Sequence, residues 1–312
     1  MNYYWKDLYT HDQKWDGLQL TIEKISTPDL LLESGNNRKM KLKCKNQILF
    51  WAAIDKDYWD VSVIRTFSDR YTFIGNINSQ EIEKRKDLST EEKYKSWSRY
   101  FANNLLKSEN HFFNTSLWIL KGYESNTRCI QSNCIFIEKD SFDAIHTGEW
   151  DQNLLFSKKV DVDSSRMKWW RKLAKQDQLP PVFAWFIPSI GDYWIIDGNY
   201  RLKAAILENK PVSVIAAYSG YYKENIENPK KRQAIMHSVQ TALKNKDQLS
   251  SKTMKGINNT LIQAFDNRPK FNLQTFSKGR IKSEAVWIKE VSEYLEQIDY
   301  PDWENEIKYI IE

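Results

Sequence analysis

The chain has 312 residues, is 41% hydrophobic and 14% aromatic, and carries a formal charge of +5, which is well below the usual signature of a nucleic-acid binder. Its aromatic content excludes broad disorder, and no window approaches the ~18 consecutive apolar residues of a membrane span. The N-terminus lacks the apolar run of a signal peptide, and Cys44, Cys129 and Cys134 lack metal-site spacing, so we expect a cytoplasmic protein with reduced thiols and no membrane partner.

Residues 1–150 are predicted to form a mixed α/β unit. Ser89 and Glu92 have the spacing of a capping box, and apolar residues then recur at helical intervals to about Leu106. Short aromatic and β-branched runs between charged turns predict strands. These predicted strands cover residues 48–54, 61–66, 71–74, 117–121 and 134–137. No motif in this unit indicates a chemistry.

Residues 158–220 are predicted to form a central domain. Asp163 is the expected cap of a helix that ends before Pro180, because proline cannot continue a helix. The continuous apolar run 182–187 is typical of a strand buried on both faces. A second strand, a helix opened by Gly198 and a third strand follow, the strands at residues 193–196 and 212–217.

Residues 221–312 are predicted to be helical. The segment has few glycines, and apolar residues recur at helical intervals between Val286 and Ile298. We therefore expect an α+β protein in which a mixed N-terminal unit and a helical C-terminal region flank the central domain.

The segment from Asp197 to Lys203 is predicted to bind an anion. A helix N-terminus presents unpaired N–H groups with a partial positive charge, and Gly198 has no side chain to obstruct a ligand. Arg201 and Lys203 lie near the helix start, where cations are disfavoured unless an anion is bound. In the alternative, purely structural interpretation, Asp197 caps the helix, Gly198 forms the turn and Arg201 is solvated.

The central domain resembles the ParB/sulfiredoxin-like domain. The family signature Asp-Gly-x-His-Arg is matched by Asp197-Gly198-Asn199-Tyr200-Arg201, which follows an apolar strand and opens a helix. The resemblance covers about a fifth of the chain and implies that a nucleotide (ATP, ADP or CTP) binds with its phosphates against this loop. It also implies phosphate contacts from Gly198, Asn199 and Arg201, and a position for Asp197 where it helps to hold Mg²⁺ or orients the loop.

Tyr200 departs from the signature, which has histidine at this position. Tyrosine has a reference pKa of about 10 and is a poor acid-base group at neutral pH, so binding is predicted more firmly than turnover. Asp197 is the candidate catalytic residue for phosphoryl transfer or hydrolysis, and Tyr200 and Lys203 are predicted to complete the phosphate site. On this hypothesis Arg201→Ala weakens nucleotide binding and leaves the fold intact.

Weaker candidates lie outside the motif. Asp161, Asp163 and Arg166 precede the domain's first helix, where relatives carry functional groups, although Asp163 is first interpreted as a cap. Lys230-Lys231-Arg232 is a short basic run that is first interpreted as a solvated helix face. Trp169-Trp170 lies beside cations and is first interpreted as part of the core. Either feature could also contact nucleic acid.

Two further hypotheses concern other classes of function. In the first hypothesis, the chain is a protein-binding module, such as the cytoplasmic immunity partner of a bacterial toxin, that reuses a degenerate nucleotide fold. Alternatively, it binds or cleaves DNA, which predicts an affinity that falls steeply with salt. The nucleotide hypothesis has its own requirement: the first amides of the helix and the guanidinium of Arg201 must face open space.

Overall fold

The chain has an α+β fold in which helices and two sheets share an aromatic core. The computed structural model describes residues 2–23, 28–55, 60–68, 71–125, 136–138, 142–148, 152–224, 228–243, 250–266, 268–275 and 277–311. Cys129, Cys134 and the start of the predicted strand 134–137 lie outside these ranges. No helix within them is long and apolar enough to cross a membrane.

The larger sheet contains nine strands of the described chain. They are β1 (Asn2–Tyr9), β2 (Trp15–Glu23), β7 (Leu117–Ser125), β8 (Phe136–Ile137), β10 (Asn153–Leu155), β11 (Val182–Ile187), β12 (Asp192–Asp197), β13 (Val212–Lys223) and β14 (Lys270–Leu273). Their order is β1-β2-β7-β13-β11-β12-β10-β8, and β14 pairs with β13. One sheet therefore joins strands of the predicted N-terminal unit to those of the predicted central domain.

The smaller sheet contains six strands of the described residues, in the order β15-β3-β4-β5-β6-β9. Their bounds are β3 (Leu30–Ser34), β4 (Lys39–Cys44), β5 (Gln47–Ile54), β6 (Val61–Arg65), β9 (Ala144–Thr147) and β15 (Ser277–Arg280). Successive side chains of a strand point to opposite faces. Phe50 accordingly packs on Trp194 of the larger sheet, with ring centroids 4.9 Å apart, whereas Trp51 packs with the C-terminal helices.

The described residues contain eight helices. Their bounds are α1 (Ser79–Glu83), α2 (Thr90–Lys107), α3 (Ser165–Lys175), α4 (Asn199–Leu207), α5 (Pro229–Leu243), α6 (Ser251–Phe265), α7 (Glu284–Gln297) and α8 (Trp303–Ile311). The predicted capping box of α2 is confirmed, because Ser89 and Glu92 each accept a hydrogen bond from the other's backbone N–H. Phe101 of α2 packs on Phe183 of β11 with centroids 5.0 Å apart, which places α2 beside the central domain.

The contacts of the chain divide it into two compact units. One unit joins residues 1–219 to residues 273–312, and the other is residues 220–272, which contain α5 and α6. In the first unit, the predicted helix–strand–strand–helix–strand order of the central domain is confirmed by α3, β11, β12, α4 and β13. Every residue of β11 is buried, as its continuous apolar run predicts.

Three local predictions are wrong. Residues 71–74 form no strand, because Tyr71, Phe73 and Ile74 are buried by aromatic packing rather than by backbone pairing. The cap of α3 is Ser164, whose Oγ accepts from the Met167 N–H, and not Asp163. The C-terminal region is also not helical throughout, since it contains the end of β13 together with β14 and β15.

Candidate functional site

Gly198 joins β12 to α4 in a conformation that few other residues adopt. Its φ is +115°, in the left-handed region that favours glycine. A Cβ at this position would lie 2.8 Å from Nη2 of Arg201 and 3.1 Å from Cα of Val182. The packing of the chain on itself therefore accounts for this glycine.

The guanidinium of Arg201 faces inward. The residue is 3% exposed, and its Nη2 donates to Oδ2 of Asp197 at 2.8 Å and to the Pro181 carbonyl at 3.0 Å. The guanidinium also lies over the Trp170 ring, 5.5 Å from its centroid. The predicted open guanidinium at the helix start is thus not what forms, because Asp197 provides an internal counter-charge. The buried Nε, however, has no hydrogen-bond partner among the described residues.

The side chain of Asn199 also makes its hydrogen bonds within the protein. Its Oδ1 accepts from the backbone N–H groups of Ser157 and Lys158 at 2.9 and 3.3 Å, and its Nδ2 donates to the Ser157 hydroxyl at 3.0 Å. The residue is 5% exposed. The side chain therefore holds the segment after β10 against the start of α4, and both its oxygen and its nitrogen are engaged within the protein.

Tyr200 and Lys203 are the two predicted phosphate contacts that keep partial exposure. The guanidinium carbon of Arg166 lies 5.1 Å from the centroid of the Tyr200 ring, a cation–π distance. Among the weaker candidates, Asp161 accepts a hydrogen bond from the backbone N–H of Asp163 at the turn before α3. Arg166 therefore lies beside Tyr200, and Asp161 has a local contact at the turn before α3.

Asp197 does not fit the predicted role of a Mg²⁺ ligand. Its carboxylate is paired with Arg201, and within the described ranges no group of three or more His, Cys, Asp or Glu side chains is arranged to hold a metal ion. Mg²⁺ binds through carboxylates, phosphates and several waters. An ion that accompanies a nucleotide would therefore depend on the phosphates and water rather than on Asp197.

A cleft of about 250 Å³ lies beside α4, on the side where Arg201 lines its wall. Helices α1 and α2, the connection from α3 to β11 and the first residues of β13 form the other walls. Five cations but only two carboxylates line the cleft. The cations are Arg85, Lys86, Lys93, Arg201 and Lys210, and the carboxylates are Glu124 and Asp177.

Most of these cations have a carboxylate partner. Lys210 pairs with Asp177 at 2.8 Å, Arg85 pairs with Glu81 at 2.7 Å, and Lys86 pairs with Glu83. Hydrogen bonds from Lys84 and Arg85 lower the pKa of Glu81. Lys93 is different, because it makes no ion pair with any described residue. The ammonium group of Lys93 is therefore available to pair with an anion in the cleft.

The cleft also has an aromatic and apolar side. The lining includes the rings of Tyr94 and Trp97, and Arg85 lies over Trp97 at 4.3 Å from its centroid. Burial raises the pKa of Tyr94, so its hydroxyl stays neutral at physiological pH. Cations beside apolar and aromatic surface can bind a ligand that has both a charged and a planar part.

No pattern in the sequence indicates that α1 and α2 contribute to this site. Arg85, Lys86 and Lys93 resemble the cations of any solvated helix face, and more than a hundred residues separate them from Arg201. Comparisons of the chain with protein-family models, curated proteins and solved structures give no match. The resemblance of the central domain to the ParB/sulfiredoxin-like family accordingly stays a prediction from its motif.

Proposed function

We propose that the chain binds a nucleotide (ATP, ADP or CTP) in the cleft beside α4. The observation that carries this proposal is the excess of cations in a cleft of about 250 Å³ that also has an aromatic wall. Small-molecule sites are concave and mostly apolar, with a few polar groups that fix the ligand, and their usual lower size is about 300 Å³. The cleft is slightly smaller than this range, so part of a bound nucleotide would extend into solvent.

Lys93 and Arg201 are the proposed phosphate contacts. Lys93 has no carboxylate partner among the described residues, and Arg201 has a buried Nε without a hydrogen bond. Arg201 lines the cleft, but because its Nε is shielded from solvent a phosphate would reach the guanidinium by displacing its bond to Asp197. The base would then lie on the side of Tyr94 and the prolines of the α3–β11 connection. Mg²⁺ would arrive with the phosphates.

The proposal concerns binding and assigns no catalytic step to this chain. Tyr200 takes the place of the family's histidine, and the carboxylate of Asp197 is paired with Arg201, so neither supplies an uncommitted general base. Phosphoryl transfer and hydrolysis belong to the family resemblance alone. The expected behaviour is retention of nucleotide without turnover.

Lys93→Gln is the variant that tests the site. We expect it to weaken nucleotide binding roughly tenfold, since a hydrogen bond between charged partners contributes about 1.5–3 kcal/mol. Lys289→Gln is the matched control, because Lys289 is 73% exposed and lies on α7, away from the cleft lining. Calorimetric titration with ATP, ADP and CTP, with and without Mg²⁺, measures the nucleotide affinity of both variants and of the wild type. Equal affinity of Lys93→Gln and the wild type, or no binding by the wild type, contradicts the proposal.

A second candidate function is a protein-binding module, such as the cytoplasmic immunity partner of a bacterial toxin. One observation favours it: Asn199 and Arg201, the residues that should open the phosphate site, are used inside the protein. A domain that has lost nucleotide binding would keep these motif residues only because they stabilise its fold. A stoichiometric complex with an identified toxin, together with no thermal shift from any nucleotide, would favour this function over the first.

A further inference from the structure

The positive charge of the chain is concentrated in its smaller compact unit. Residues 220–272 contain ten lysines and arginines against four aspartates and glutamates, a formal charge of +6, whereas the whole chain has +5. The rest of the chain is therefore close to neutral, at −1. Such asymmetry between parts of a chain indicates a polyanionic partner for the charged part.

The two helices of this unit contain no acidic residue. Together, α5 and α6 contain five cations and no aspartate or glutamate; the cations are Lys230, Lys231, Arg232, Lys252 and Lys255. None of the four lysines makes an ion pair with a described residue. Lys230, Lys231 and Lys252 lie in the first turn of a helix, where the partial positive charge of the helix end disfavours them unless an anion is bound.

The same unit also has exposed aromatic side chains. Tyr221, Tyr222 and Phe265 are 47%, 40% and 47% exposed. The guanidinium of Arg232 lies 4.9 Å from the centroid of the Phe265 ring, and Tyr222 contacts the ring of Phe271 at 5.7 Å. Exposed rings are unfavourable in water, so a partner that covers them would stabilise the unit.

From this combination we propose that residues 220–272 bind single-stranded nucleic acid. Single-strand binders pair cations that follow the phosphates with aromatic rings on which successive bases stack. A duplex would use the cations but leave the rings uncovered, since its bases are already stacked. The proposal is independent of the nucleotide cleft, whose lining residues all lie outside this unit.

Two variants separate the contributions of charge and stacking. Lys230→Gln/Lys231→Gln should weaken binding of a labelled 20-nucleotide thymidine or uridine strand and reduce the log–log salt slope by about 1.4, because each phosphate contact on a single strand contributes about 0.7. Phe265→Ala should weaken binding roughly tenfold and leave the slope unchanged, because stacking releases no counterions. Phe265→Tyr keeps a ring and should retain wild-type affinity.

The measurement is fluorescence anisotropy on the full chain at several salt concentrations, with circular dichroism to check folding. Lys84→Gln/Lys289→Gln is the matched control, since both lysines are exposed and lie outside the unit. Affinity of this control within twofold of the wild type supports the assignment to residues 220–272. No binding at low salt, equal loss in the control, preference for a duplex, or stronger binding to phosphatidylserine vesicles than to the strand overturns the proposal.

Discussion

Arg65→Met is expected to lower the free energy of unfolding by about 3–5 kcal/mol, because it leaves a buried carboxylate without its counter-charge. Arg65 is fully buried, and its Nη1 donates to Oε2 of Glu138 at 2.6 Å and to the Phe156 carbonyl at 3.2 Å. It ends β6 of the smaller sheet, whereas Phe156 follows β10 of the larger sheet. Loss of the guanidinium therefore weakens the connection between the two sheets.

A double variant gives this prediction its control. Arg65→Met/Glu138→Leu removes both charges and should recover much of the stability, because well-packed apolar residues often replace a buried ion pair without loss. Urea-induced unfolding, followed by tryptophan fluorescence, measures the free energy of unfolding of both variants. A loss below about 1 kcal/mol for Arg65→Met would show that the pair is not isolated from water, since exposed pairs contribute about that much or less.

Arg201→Ala is expected to cost about 3 kcal/mol of stability, at the lower end for a broken buried pair because Asp197 keeps some exposure to water. The variant removes the bonds to Asp197 and Pro181 and empties the space over the Trp170 ring. This corrects the expectation from sequence that the substitution leaves the fold intact. Thermal and urea unfolding would show the loss directly.

The conservative variant Arg201→Lys keeps the charge but not the flat, forked guanidinium, so we expect an intermediate loss. Lys289→Ala, at a solvent-exposed position of α7, should stay within about 0.5 kcal/mol of the wild type. An unchanged unfolding midpoint for Arg201→Ala would mean that the guanidinium faces solvent after all. Arg201 is therefore an unsuitable position for testing nucleotide affinity, and Lys93 is the better one.

The sequence predicts those elements whose stability is local. The capping box of Ser89 and the apolar run of β11 each identify an element from adjacent residues, and both are confirmed. The run 71–74 has the composition of a strand, yet it pairs with none of the described strands, because strand formation depends on residues far along the chain. Asp163 and Ser164 are both good caps, so composition alone does not decide between them.

The candidate site is harder to predict than the fold for the same reason. Local sequence places Gly198 correctly at the start of α4, but the direction of Arg201 is set by Trp170 and Asp197 once β11, α3 and α4 have packed. Lys93 becomes part of the site only because α2 lies beside the central domain. A motif therefore indicates the junction, and the tertiary packing decides which of its groups remain available to a ligand.

Hydrogen–deuterium exchange with and without saturating nucleotide tests the location of the proposed site most directly. Binding in the cleft should slow amide exchange in residues 82–97 and 210–213, whose side chains form its walls, and leave α7 and α8 unchanged. Exchange that is unaltered by every nucleotide, or slowed only in segments outside the cleft, would contradict the account.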